Sequence, residues 1–161
     1  MPHTMTATER EQFLALPQVG VLSVADIDGD RPPLTVPVWY AYQPGGDITF
    51  FTGTQGRAAR KTRLLERAGT FSFCVQQPEY PYRYVTAEAT VTGADRAPEV
   101  EQVLAVTSRY LPEDAARAFA DAETANPAGT FVLFTARPDR WLSFDFADED
   151  QGVPDQPGQR G

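Results

Sequence analysis

Residues 50–67 read Phe50-Phe51-Thr52-Gly53-Thr54-Gln55-Gly56-Arg57-Ala58-Ala59-Arg60-Lys61-Thr62-Arg63-Leu64-Leu65-Glu66-Arg67. The apolar and β-branched run that ends at Thr52 predicts a strand over residues 47–52. Two glycines within the next four residues then break the pattern. From about Arg57 to Arg67 the chain fills with good helix formers, among them Ala58, Ala59, Leu64 and Leu65, and Gly69 is a natural stop. Strand, glycine loop and basic helix together carry chemical meaning. A helix N-terminus presents unpaired N–H groups and a partial positive charge, and glycines let an anion approach the backbone. Arg57, Arg60 and Lys61 are spaced i, i+3, i+4, which places them on one helical face. Thr52 and Thr54 can add hydroxyl donors. The loop lacks the Gly-Lys-Ser/Thr ending of a P-loop. The plainer alternative is a solvated basic face, and Arg63 and Arg67, four apart on a different face, fit it.

The surrounding chain is acidic. Its 161 residues carry a net charge of −8. Five of the 14 basic residues fall in 57–67 against the single acid Glu66, so that stretch carries +4 and the remainder −12. A compact positive spot on an acidic chain suits a small anion and argues against nucleic acid as a partner. Lys61 is the only lysine. The one cysteine, Cys74, allows no intramolecular disulfide, and its apolar strand predicts an inert core thiol. The one histidine, His3, leaves no residue set for a structural zinc site or for Ser-His-Asp or Cys-His catalysis. The polar N-terminus and the lack of an apolar run of ~18 residues predict a cytoplasmic protein without membrane contact. No side chain stands out as an acid or base, so catalytic residues are unassigned and no metal is expected. Any chemistry would be borne by a cofactor.

The length fits one domain. Thr8 and Glu11 suggest a capping box opening a helix that ends before Pro17. Strands are expected at residues 19–25, 34–42 and 47–52, linked by turns at Asp28-Gly29 and Pro44-Gly45-Gly46 into an antiparallel meander. After the basic helix come strands at 71–75 and 83–93, helices at about 98–110 and 112–123, and strands at 130–136 and 141–146. The expected fold class is α+β: an antiparallel barrel of about six strands with flanking helices, over residues 1–146. Residues 147–161, acidic and then rich in Gly, Pro and Gln, read as a disordered tail. Alternation turns Trp39 to the opposite side from Tyr40 and Tyr42.

In order and spacing these pieces resemble the pyridoxamine 5′-phosphate oxidase-like, FMN-binding split β-barrel family of flavin and deazaflavin oxidoreductases, over roughly residues 13–146. The matching pieces are Val36-Pro37-Val38-Trp39-Tyr40, Phe51-Thr52, Arg60-Lys61-Thr62-Arg63-Leu64-Leu65, Phe71-Ser72-Phe73-Cys74-Val75, Arg83-Tyr84-Val85-Thr86-Ala87-Glu88 and Pro138-Asp139-Arg140-Trp141. The resemblance implies FMN as cofactor. It places Arg60 and Lys61 on the phosphate and Thr52 beside it, with Val36, Pro37, Val38 and Trp39 along the ring. Tyr84 and Trp141 are further contacts it suggests. It also implies a homodimer with two sites at its interface, and hydride transfer between flavin and a small organic substrate, with NAD(P)H a possible partner. Coenzyme F420 is the alternative cofactor, and a non-catalytic flavin or haem binding protein is the alternative role. Two departures bear on this. Leu64 stands where the deazaflavin branch often has Asn, and no histidine after His3 supplies the Arg-x-His ending of vitamin B6 oxidases.

Overall fold

The computed structural model describes residues 2–125 and 130–147. The tail expected at 147–161 lies, from residue 148 onward, outside the described residues. In chain order the elements are α1 (Ala7–Leu14), β1 (Gly20–Val24), β2 (Leu34–Val38), β3 (Ala41–Tyr42), β4 (Ile48–Gly53), α2 (Ala58–Ala68), β5 (Thr70–Gln77), β6 (Arg83–Asp95), α3 (Val100–Thr107), α4 (Glu113–Ala125) and β7 (Phe131–Asp145). The class is α+β, with seven strands rather than about six. They form one antiparallel sheet in the order β2-β1-β5-β6-β7-β4-β3.

That order corrects the expected meander. β1–β2 and β3–β4 are hairpin pairs, but they lie at opposite edges of the sheet. The single strand expected over 34–42 is interrupted at Trp39 and Tyr40, where the chain crosses from one edge to the other. The two strands expected at the C-terminal end are one, β7. Pro138 pairs with Ala89 beside a register shift, and a bulge is where a residue without an N–H is tolerated within a sheet. A second shift between Val91 and Gly93 adds to the bending of the long β6–β7 ribbon, which curls the sheet.

The curled sheet encloses an aromatic core. Tyr40, Phe13, Phe50, Phe73 and Phe134 are the largest fully buried side chains. Phe50 stacks on Phe134 with centroids 5.5 Å apart, and Tyr40 meets Phe73 edge-on at 5.0 Å. A smaller cluster of Val103, Ala120 and Phe131 packs α3 and α4 against the other side of β4, through Phe51 and Phe119. α1 opens two residues earlier than expected: Thr6 and Glu9, not Thr8 and Glu11, form the capping box. Both pairs match the pattern, and the earlier one leaves Met5 buried with its N–H donating to Ser143 Oγ at 3.1 Å. Cys74 is also corrected. It alternates with the core residues Phe73 and Val75 and so lies, half-buried, on the outward face of β5.

Gly20 shows how tightly the core closes on the sheet. A Cβ there would lie 2.1 Å from Phe73 Cζ, and the Phe73 ring is itself fully buried. Gly20→Ala should therefore destabilise the fold by about 1–3 kcal/mol, the usual range for overpacking, read from the midpoint of urea unfolding. An unchanged midpoint would mean that the ring has room to move.

Candidate functional site

α2 is fixed to the end of β4 by two threonines. Thr62, buried on the inner side of the helix, donates its hydroxyl hydrogen to the Gly53 carbonyl at 2.7 Å. Its oxygen lies 2.6 Å from Thr52 Oγ1, so Thr52 in turn donates to Thr62. Thr52 is only 2% exposed, and its hydroxyl joins strand to helix. Thr54 continues the strand line by donating its N–H to the Thr130 carbonyl at 3.2 Å. The turn into the helix needs a left-handed residue, and Gly56 supplies it with φ of 61°. Arg57 then occupies the N-cap position with helical backbone and makes no capping bond through its side chain.

Beside this junction lies a cleft of about 410 Å³ lined by Val19, Pro37, Val38, Trp39, Phe51 and Lys61. Trp39 stacks on Tyr110 with centroids 5.2 Å apart and planes 6° from parallel, and leans on Phe119 at 6.2 Å. Phe51 is held between Phe119 at 5.6 Å and Phe131 at 4.8 Å. The aromatic lining is therefore backed by the α3–α4 region. Tyr110 is itself anchored. Its oxygen accepts from the Tyr40 N–H at 3.3 Å, and its hydrogen is shared between the carbonyls of Gln18 at 2.8 Å and Tyr40 at 3.3 Å. Burial pushes the Tyr110 phenol up, which keeps it a neutral donor.

The basic residues of α2 separate into two groups. Arg60 turns to Asp26 in the β1–β2 loop, 3.3 Å away in a largely buried contact. Arg67, seven positions on, forms a fork to Asp28 of the same loop at 2.5 and 3.1 Å. That bond holds the Asp28 carboxyl below, and the Arg67 guanidinium above, their usual values. Lys61 makes no hydrogen bond or ion pair among the described residues, and neither do exposed Arg57 and Arg63. Lys61 is half-buried, and desolvation pushes its ammonium below the 10.5 of an ordinary lysine. The shared face expected for Arg57, Arg60 and Lys61 is thus divided, with Arg60 committed to a carboxylate and Lys61 turned to the cleft.

No protein-family model and no curated protein matches the chain by sequence. Solved structures do match by shape. An F420 reductase is 24% identical, with 82% of this chain and 94% of that chain covered at a TM-score of 0.61. A conserved hypothetical protein from Mycobacterium tuberculosis is 21% identical over 96% and 94%, with a TM-score of 0.69. The haem storage protein from Vibrio cholerae is 18% identical over 85% and 93%, with a TM-score of 0.63. The fold is the split β-barrel.

Of the residues expected at the site, the split barrel brings Pro37, Val38, Trp39 and Lys61 together in the cleft. Val36 does not line the cleft; it shares the inner face of β2 with Val38 and packs against the core opposite Leu22. Tyr84 lies half-buried on the outward face of β6, opposite Phe144. Trp141 packs edge-on to Tyr42 at 5.8 Å under the Arg10 guanidinium. Neither of these two lines the cleft of a single chain. Val19 and Phe51 line it without having been singled out. Strand parity held the signal for Phe51: with Phe50 and Thr52 inward, the residue between them must face outward. No cluster of three or more potential metal ligands occurs among the described residues, and no described helix is long and apolar enough to cross a membrane.

Tyr110→Phe keeps the ring that stacks on Trp39 but removes the hydroxyl serving Tyr40 and Gln18. It should lower stability by about 1–3 kcal/mol, the cost of unpaired buried polar groups, in urea unfolding followed by circular dichroism. A loss within error would show that water takes over the hydroxyl's partners.

Proposed function

We propose that this chain binds FMN in the cleft beside α2 and belongs with the pyridoxamine 5′-phosphate oxidase-like flavoproteins as an oxidoreductase acting on a small organic substrate, with NAD(P)H as a possible partner. The observation that carries this reading is Lys61, a half-buried ammonium with no counter-charge among the described residues, set between apolar and aromatic side chains. Such a cation gains from an incoming anion what a paired surface cation does not. The donor set fits a phosphorylated ring: Lys61 and exposed Arg57 one turn earlier hold the phosphate, and Pro37, Val38 and Trp39 border the ring. Arg60 supports from behind, since its contact to Asp26 fixes the helix against the β1–β2 loop. Bound flavin would supply the hydride chemistry, while the chain orients the ring and excludes water from it.

A row of outward-facing residues supports a homodimer. Pro37, Val21, Cys74, Thr86 and Leu142 stand opposite one another in turn across β2, β1, β5, β6 and β7. Leu142 is 61% exposed. The row begins at the cleft, in Pro37, so a second copy covering it would also close the cleft. Leu142→Arg should shift the protein to monomers at micromolar concentration in light scattering after gel filtration and weaken cofactor retention. A dimer that survives the change would move the interface elsewhere.

Coenzyme F420 is the second reading, favoured by two further exposed cations of this segment, Arg57 and Arg63, that have no partners among the described residues. A longer anionic tail would use both. Titration of cofactor-free protein with FMN and with F420, followed through quenching of Trp39, separates the two. Lys61→Ala should weaken the favoured ligand by about 1.5–3 kcal/mol, the scale of a charged hydrogen bond. If neither ligand quenches Trp39, the flavoprotein reading fails. Binding without turnover by NAD(P)H or reduced deazaflavin would make the protein a carrier.

A further inference from the structure

We propose that Lys61 is a self-acylating site: an acyl phosphate seated in the cleft transfers its acyl group to Lys61 Nζ, and the amide so formed removes the cleft's hold on anionic ligands. The second half of this inference rests on the phosphate-anchor reading above; the acylation itself does not.

Several features of the molecule converge on it. Lys61 lines an open cleft, so a small molecule can reach it, yet it is half-buried beside Val38, Trp39 and Phe51. The nearby basic residues Arg60 and Arg67 are neutralised by Asp26 and Asp28, whereas Lys61 has no carboxylate among the described residues to hold it in the charged form. Attack requires the free amine, and desolvation favours that form by pushing Lys61 down. Arg57 lies one helical turn earlier, exposed and without an acidic partner among the described residues, where it can hold the phosphoryl end of the donor. Lys61 is also the only lysine, so no surface lysine of this chain competes for the donor.

The step balances without any redox partner. The Nζ lone pair attacks the acyl carbon and a C–N bond forms. The bond from that carbon to the phosphate oxygen breaks, inorganic phosphate leaves with the electron pair, and one Nζ proton passes to solvent. A cation has become a neutral amide, and the cleft lining has lost the charge of Lys61.

The test is acetyl phosphate added to the cofactor-free full chain, with acetylation at Lys61 followed by peptide mass spectrometry and the N-terminal amine as internal reference. Relative to that reference, Lys61 should label faster than it does in the urea-unfolded chain, because desolvation in the folded protein favours its free amine. Inorganic phosphate should slow it by competition, and Arg57→Ala should slow labelling by acetyl phosphate but not by an uncharged N-hydroxysuccinimide ester. Labelling no faster than in the unfolded chain, or indifferent to phosphate, overturns the site. FMN titration of treated and untreated protein then reads the consequence. Weaker binding after treatment, absent in the Lys61→Arg variant, supports it, and equal binding overturns it. Failure of untreated protein to bind FMN would sink the flavoprotein reading and leave the labelling result standing by itself.

Discussion

The chain must leave one edge of its sheet and rejoin at the opposite edge within two residues, and the Tyr110 hydroxyl is what permits it. Tyr40, at the crossing, is fully buried, so its backbone groups cannot turn to water. A buried N–H or carbonyl without a partner costs on the order of 1–3 kcal/mol. Tyr110 Oη serves both groups and the Gln18 carbonyl as well. Arg109, its neighbour, donates to the carbonyls of Leu14 and Leu16 at the end of α1 and lies over the Tyr40 ring at 4.5 Å. Two consecutive residues after α3 thus tie α1, the start of β1 and the crossing into one unit. The same tie turns Trp39 outward onto the Tyr110 ring, which sets one side of the cleft.

Charge at the cleft is decided by pairing rather than by number. α2 and its N-cap carry five basic residues, but the β1–β2 loop places Asp26 and Asp28 where they neutralise Arg60 and Arg67. Arg96 pairs with Glu66 on the solvent side of the helix. What is left for a ligand is Lys61 within the cleft and Arg57 and Arg63 outside it. On a chain of net charge −8 this leaves the cleft with a cation that no described carboxylate neutralises. Lys61 is also half-buried, and Thr62 beside it helps to hold it so. The neighbouring hydroxyl is locked to Gly53 and Thr52, and that contact draws the first turns of the helix against the end of β4.

The unit at residues 50–67 was legible because all its signals are local: alternation, two glycines, helix formers and a stop at Gly69, whose N–H caps the Leu65 carbonyl at 3.0 Å. The topology was not legible, since the break at Trp39 and Tyr40 depends on a hydroxyl 70 residues away. Pro138 hid the continuity of β7 for a similar reason, because whether a proline ends a strand or sits in a bulge is decided by the partner strand. At the site, Pro37, Val38, Trp39 and Lys61 line one cleft. The pairing of Arg60 with Asp26 could not be read from helix spacing, which places residues on a face but says nothing of the loop opposite. Thr52 was expected near the ligand for its hydroxyl, and the structure shows that hydroxyl satisfied ten residues away in Thr62.

A single curled sheet can bury only one of its faces within itself, and here the two faces differ in kind. The inner one is filled with large side chains, from Tyr40 to Phe134. The outer one carries small and medium residues in cross-strand rows: Ser23, Ser72, Glu88 and Arg140 in one, and Val21, Cys74, Thr86 and Leu142 in the next. The first of these is polar and ends in an ion pair, Arg140 to Glu88 at 3.6 Å, and so is content in water. The second is largely apolar, and at its β2 end it reaches Pro37 and the cleft. Whatever covers that second row must therefore also border the cleft. The desolvation that sharpens Lys61 toward an anion would then deepen, because the surface that shields the row shields the amine beside it.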